Sequence, residues 1–300
     1  MMKWFRRFIL SLGAFCILLS VFALLEHTSL LQFRTSDSDY KWWSFSRPDR
    51  TGLKGLNISG SGVIHEKAIR NSLGSLNVPV GKLYIINLTV TDQLYADGRP
   101  FRWFNWHKTD TGIAAPYRAI KNISRLTNNY KWFLRRHWYP SPQDSHIENE
   151  EEMVKRLGYH YLSFHVDKRK VFPPDTVDKF IDFVDQLPKD AWVHFHCDGG
   201  NSRTTTMMIF HDILKNGKTV PLQTIISRQY ALGGVDINDT TAHLGGTWKF
   251  QNLVMRKTLV EDFYRYVNDP NGYGATKWSQ WFAVNGKAQT PKAPEPLESS

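Results

Sequence analysis

The chain has 300 residues, 41% of them hydrophobic and 22% charged, enough for one sizeable core or two modest ones. Its formal net charge of +10 suits an anionic partner, whether nucleic acid, a membrane surface or a phosphorylated substrate. The 2 cysteines exclude a disulfide framework for the folded body, since Cys16 lies in an apolar N-terminal run and Cys197 stands alone in the rest of the chain.

In chain order, Lys3, Arg6 and Arg7 precede an apolar run over residues 8–25. That run is longer than most signal-peptide cores and at the lower limit for a membrane span, and no clean small-x-small cleavage site follows it. Residues 1–25 therefore read as a signal peptide or a retained N-terminal membrane anchor. Either one exports the rest of the chain, to the periplasm, the medium or the outer face of the membrane. Residues 26–50 are polar and irregular and read as a linker, with a globular domain expected over 51–268. Residues 82–90 (KLYIINLTV) predict a buried strand, and Asp97-Gly98 between aromatic runs predicts a hairpin turn. Residues 114–134 and 147–157 carry helical spacing. Residues 159–166 predict a second strand, 174–187 a helix opened by proline, and Trp192–His196 a third strand that ends at Cys197. Helices are expected over 203–215, 221–232 and 248–267. Strands alternating with helices predict an α/β fold with a central, largely parallel sheet flanked by helices. Residues 269–300, rich in Pro, Gly, Lys and Ser, read as a flexible tail.

The chemistry concentrates in His196-Cys197-Asp198-Gly199-Gly200-Asn201-Ser202-Arg203-Thr204. A strand ends, a turn with two glycines follows, and a helix begins, so successive backbone N–H groups converge on one oxyanion at a positive helix end. Gly199 and Gly200 permit the angles such a loop needs. Arg203 adds a planar fork for two phosphate oxygens, which lysine does not copy. The same field favours the thiolate of Cys197, placed for in-line attack on phosphorus and a cysteinyl-phosphate intermediate. Thr204 is a candidate to hydrogen-bond the sulfur, and His196 to orient the loop.

These residues resemble the cysteine phosphatase superfamily signature His-Cys-x5-Arg-Ser/Thr. Residues 187–197 followed by Arg203-Thr204-Thr205 narrow the resemblance to the bacterial protein-tyrosine-phosphatase-like phytases, which remove phosphate from myo-inositol polyphosphates. Ile58-Ser59-Gly60-Ser61-Gly62, Arg228-Gln229 with Gly233-Gly234, Trp248-Lys249 and Phe263-Tyr264-Arg265-Tyr266 agree with it. The resemblance implies a phosphatase-type α/β domain with a small, partly β insertion over about residues 90–145, and no metal or organic cofactor. Three stretches depart from the pattern: residues 88–94 lack the family's arginine, residues 235–241 are acidic where the family is lysine-rich, and Ser202 replaces a usual glycine.

An alkoxide leaving group needs a proton. The superfamily draws it from an aspartate on a loop after a strand, which Asp167 fits; Asp175, at the start of the next helix, is the competitor and also suits a helix cap. Lys168, Arg169 and Lys170, and Arg99, Arg102, His107 and Lys108 in the insertion, are candidates to hold non-reacting phosphates, or else solvated charge. The first reading is thus an enzyme acting on inositol polyphosphates. The alternatives are the same chemistry on phosphotyrosine peptides or phosphoinositides, and an idle polyanion-binding module. No recognition motif for nucleic acid accompanies the charge.

Overall fold

The computed structural model describes residues 30–44, 47–90, 93–96, 98–100, 146–167, 170–241 and 246–287. Its central sheet runs in the order β1 (Arg34–Thr35), β2 (Ile58–Ser61), β8 (Trp192–His196), β3 (Leu83–Asn87) and β7 (His160–Ser163). Neighbours from β2 to β7 are parallel, and β1 closes one edge antiparallel to β2. A parallel sheet needs cover on both faces. On one face Ile58, Ile86, Val193 and Phe195 pack against α3 (Pro174–Gln186), α4 (Ser202–Asn216), α5 (Leu222–Ala231) and α6 (Gly246–Asn268). On the other, Leu83, Ile85 and Trp192 pack against Ala68 of the short α1 (Glu66–Ala68), against Ile69 and Leu73, and against Met153 and Val154 of α2 (Glu150–Arg156). The alternation along β3 and β8 divides their side chains between these two cores, as the strand period requires.

A second, antiparallel sheet has the order β5 (Arg99–Pro100), β4 (Leu94–Ala96), β6 (Ile147–Asn149). Its hairpin turns through Gly98 at φ +71°, and Tyr95 OH donates to Glu150 Oε2 at 2.9 Å. The helical reading of 147–157 is corrected at its start. Residues 147–149 pair with β4, and only then does Asn149 open the helix, its Oδ1 accepting from Glu152 N while Glu152 Oε2 accepts from Asn149 N, both at 2.8 Å. The helix expected over 114–134 lies outside the described residues.

Two boundaries move. The expected linker is replaced, over residues 30–44, by chain built into the domain: Leu30 is buried, Arg34, Thr35 and Ser36 are buried at the sheet edge, and Lys41 N donates to Ala231 O at 2.8 Å. Its polar groups are used in the interior, which is why no apolar period announces it. The expected tail is likewise helical over α7 (Trp278–Asn285). There Trp278 is 0% exposed and packs on Phe263, Tyr266 and Phe282. Aromatics inside a Pro- and Gly-rich stretch supply the burial that its composition hides. Among the described residues no helix is long and apolar enough to cross a membrane, and the run over 8–25 lies outside them.

Removing Trp278 leaves a large hole under α6. Trp278→Ala should cost about 3–5 kcal/mol, read as a fall in the urea midpoint; a loss under 1 kcal/mol would return residues 269–287 to the status of a tail.

Candidate active site

Cys197 follows directly on β8, the middle strand of the sheet, so it emerges at the C-terminal edge where α/β folds place their ligands. Between the strand and α4 the loop carbonyls are taken up on the outside. Asp198 O accepts from Val63 N at 3.2 Å and Gly200 O from Arg34 Nη1 at 2.9 Å. Asn201 O and Ser202 O accept from Thr205 N and Thr206 Oγ1, both at 2.8 Å. No peptide bond is cis, so each carbonyl turned outward sends the following N–H inward. The amides of Gly199, Asn201, Ser202 and Arg203 therefore line the inside of the turn.

This packing depends on missing side chains. Gly200 adopts φ +69°, and a Cβ there would lie 2.5 Å from Gly62 N and 2.7 Å from Ser61 C. A Cβ on Gly60 would lie 2.6 Å from both Met208 Sδ and Thr204 Cγ2. The run Ser59-Gly60-Ser61-Gly62 thus lets β2 pass directly under the loop and α4.

Cys197 is a free, buried thiol, and Thr204 Oγ1 lies 3.2 Å from its Sγ and 3.3 Å from Ser61 O, within donating reach of each. Arg203 is anchored at two strand ends, with Nη1 donating to Leu88 O at 2.8 Å and to Val166 O at 3.0 Å. Its Nη2 donates to Asp198 Oδ2 at 2.6 Å. Of five N–H donors this leaves Nε and the second hydrogen of Nη2, the pair that a bidentate grip on an oxyanion uses.

Behind the loop, His194 bridges Ser59 Oγ and Ser61 Oγ through its two ring nitrogens, both at 2.9 Å. Burial holds it well below the usual imidazole range, so it is neutral. His196 is also buried, with Nε2 at 3.0 Å from Glu150 Oε1 but out of line for a hydrogen bond. Neither ring nitrogen makes a hydrogen bond to the loop.

Two further arginines complete the site, and sequence reasoning missed both. Arg34 is 1% exposed and also donates through Nη2 to Thr205 Oγ1 at 3.0 Å. Burial pushes its guanidinium down to about 10, and the charge on Cys197 pulls it up. Arg256, 6% exposed on α6, makes no hydrogen bond or ion pair among the described residues. Burial, then the like charge of Arg203, push it down to about 10 while Cys197 opposes them, so it remains a cation at neutral pH. Arg256 falls in phase with Leu259, Val260, Phe263 and Val267 on the buried face of α6; a charge inside an apolar stripe was the available signal.

Asp167 follows Val166, the residue whose carbonyl Arg203 grips, and its own carbonyl accepts from Lys170 N at 3.1 Å. Asp175 is exposed in the first turn of α3. Lys170 is exposed; Lys168, Arg169, Arg102, His107 and Lys108, and the side chain of Arg99, lie outside the described residues.

A thiol at the end of a central parallel strand, an amide-lined turn and an arginine on the following helix define the cysteine phosphatases, and the chain has that architecture. Comparison with known proteins narrows the class. The family model described as PTP-like phytase, inositol hexakisphosphate, matches residues 106–215. The PTP-like myo-inositol phosphatase of Mitsuokella multacida, solved with myo-inositol-(1,3,4,5)-tetrakisphosphate, superposes with a TM-score of 0.70 at 27% identity, over 89% of this chain and 47% of its own. A PTP-like phytase from Bdellovibrio bacteriovorus gives a TM-score of 0.61 at 28% identity, over 86% of this chain and 92% of its own. The effector protein hopD2 of Pseudomonas syringae pv. tomato is 27% identical over 256 residues, 77% of this chain and 52% of the effector. The chain thus spans about half the length of the effector and of the Mitsuokella enzyme. It is similar to the PTP-like phytases, in sequence over residues 106–215 and in fold over most of its length.

The loop's dependence on Gly200 is testable. Gly200→Ala combines a strained φ with a backbone clash, and should lower phosphatase activity at least ~100-fold while the far-UV circular dichroism spectrum is kept. Activity within a few-fold of wild type would mean the loop tolerates a different path.

Proposed function

We propose that the chain is a cysteine-dependent phosphomonoesterase that removes phosphate from myo-inositol polyphosphates. The loop supports the chemistry, and Arg256 carries the substrate class. A buried cation without a counter-ion is costly; Arg256 has none among the described residues and lies within electrostatic reach of Arg203 and Cys197. A substrate with several phosphates places one in the loop and another against Arg256, offsetting that cost. A phosphotyrosine side chain brings only one.

In the proposed reaction the Cys197 thiolate attacks phosphorus opposite the ester oxygen. The S–P bond forms, the P–O bond breaks, and its electron pair leaves on the inositol oxygen, which takes a proton from Asp167. Loop amides and the free edge of Arg203 hold the equatorial oxygens. Water then attacks the cysteinyl-phosphate and gives a proton to the Asp167 carboxylate. The S–P pair returns to sulfur, where the Thr204 hydroxyl stabilises the departing thiolate. Asp167 is preferred to Asp175 because Arg203 grips the preceding carbonyl, whereas Asp175 sits exposed within a helix. Lys168, Arg169, Lys170, Arg99 and Arg102 are proposed as weaker contacts to outer phosphates. Residues 1–25 are proposed to export the domain. Since Leu30 is already buried in the fold, any cleavage must fall before it.

Two measurements test this reading. Phosphate release should be faster from inositol hexakisphosphate than from phosphotyrosine peptides, and Arg256→Met should raise KM for the former about 30-fold or more with little effect on p-nitrophenyl phosphate. An equal effect on both substrates would make Arg256 structural. Asp167→Asn should cut kcat on inositol phosphates roughly 100-fold or more, yet spare p-nitrophenyl phosphate, whose phenolate leaves unassisted. Equal losses would transfer the acid role to Asp175.

A further inference from the structure

Arg34 belongs to a segment with no apolar period, on the edge strand of the sheet, and no step of the proposed reaction uses it. Its environment is nevertheless specific. The side chain is 1% exposed, and its donors go to Gln32 O at 3.1 Å, Gly200 O at 2.9 Å and Thr205 Oγ1 at 3.0 Å. Thr205 Oγ1 also accepts from Val235 N at 3.2 Å, just after the Gly233-Gly234 turn. One guanidinium therefore ties together the N-terminal strand, the loop after Cys197, the first turn of α4 and the approach to α6.

The bond to Gly200 O has a definite consequence. In a trans peptide the carbonyl and the next N–H point in opposite directions. Were the Gly200–Asn201 peptide to flip, a carbonyl oxygen would face the bound oxyanion and the Asn201 amide would be lost from the cradle. Gly200, at φ +69° with no Cβ, is the residue at which such a flip meets least steric resistance. We propose that Arg34 is a positioning residue that locks the Gly200–Asn201 peptide in its anion-binding orientation, so that the N-terminal strand is part of the phosphate site. The inference rests on the phosphatase reading above and is tested through the loop itself.

The test compares Arg34→Met and Arg34→Lys with wild type in tungstate binding by calorimetry. It also compares the rates at which iodoacetate, an anion, and neutral iodoacetamide alkylate Cys197, followed on its own peptide by mass spectrometry. The ratio of the two rates reads anion capture and is independent of how much thiol is ionised. Arg34→Met should weaken tungstate at least tenfold and lower the iodoacetate preference to a similar degree, with the KM for p-nitrophenyl phosphate rising. Arg34→Lys should recover only part of this, since it cannot reach Gly200 O and Thr205 Oγ1 together. Thr205→Val, which removes one anchor and keeps the arginine, should weaken tungstate several-fold and decides the matter if Arg34→Met does not fold. Tungstate affinity and alkylation ratio equal to wild type in the folded variants would overturn the proposal. Wild-type protein that itself ignores tungstate would overturn the phosphatase reading instead.

Discussion

A phosphate cradle made of backbone requires successive peptides to turn their N–H groups inward, which sends their carbonyl oxygens outward to be satisfied elsewhere. The rest of this structure depends on that requirement. Val63 N, Arg34 Nη1, Thr205 N and Thr206 Oγ1 supply the outward partners, and they come from the turn after β2, the N-terminal edge strand and α4. Val63 and Arg34 sit near their targets only because β2 runs alongside β8 and directly beneath the loop, whereas the two threonines reach back within α4. That explains the glycines: Gly60 admits α4 against β2, and Gly200 admits the backbone of Ser61 and Gly62 against the loop. The sheet order is thus a condition of the chemistry as well as of the core.

Electrostatics adds a second layer. Arg34, Arg203 and Arg256 are all buried around one thiol, and Asp198 is the carboxylate that pairs with Arg203. Concentrating cations in a low-dielectric site is unfavourable for the fold on its own. The core on the face of the sheet covered by α3 to α6, which buries aromatic residues such as Phe180, Phe195, Phe210, Phe263 and Trp278, offsets it. The arrangement suits an anion at the loop, which under the proposed reading is a substrate phosphate. Arg203 is held at the ends of β3 and β7 through Leu88 O and Val166 O, so its free edge needs little reorganisation to meet a ligand.

Much of this is legible in the sequence, and the parts that are not share a cause. Trp192–His196, the turn behind it and α4 read correctly because a short apolar run, two glycines and a 3.6-residue period are each local signals. The parallel sheet follows from alternation alone. Arg34 is hidden in a stretch that reads as a linker, because a buried strand of two residues paired through polar groups has no hydrophobic period. Arg256 escapes notice because charge on a helix is ordinarily a solvated face, and only its register with Leu259, Phe263 and Val267 marks it as interior. The helix around Trp278 is masked by the prolines, glycines and lysines on either side. In each case the decisive contact is long-range, which a local pattern does not record.

The central claim is that Cys197 takes the phosphoryl group itself. Acid-quenching the enzyme during turnover of inositol hexakisphosphate and mapping the peptides by mass spectrometry tests it directly. A phosphoryl group on the peptide carrying Cys197, located on sulfur and absent from Cys197→Ser, is the result expected. Continuing phosphate release by Cys197→Ser, or an adduct located instead on His196 or Ser202, would contradict the account.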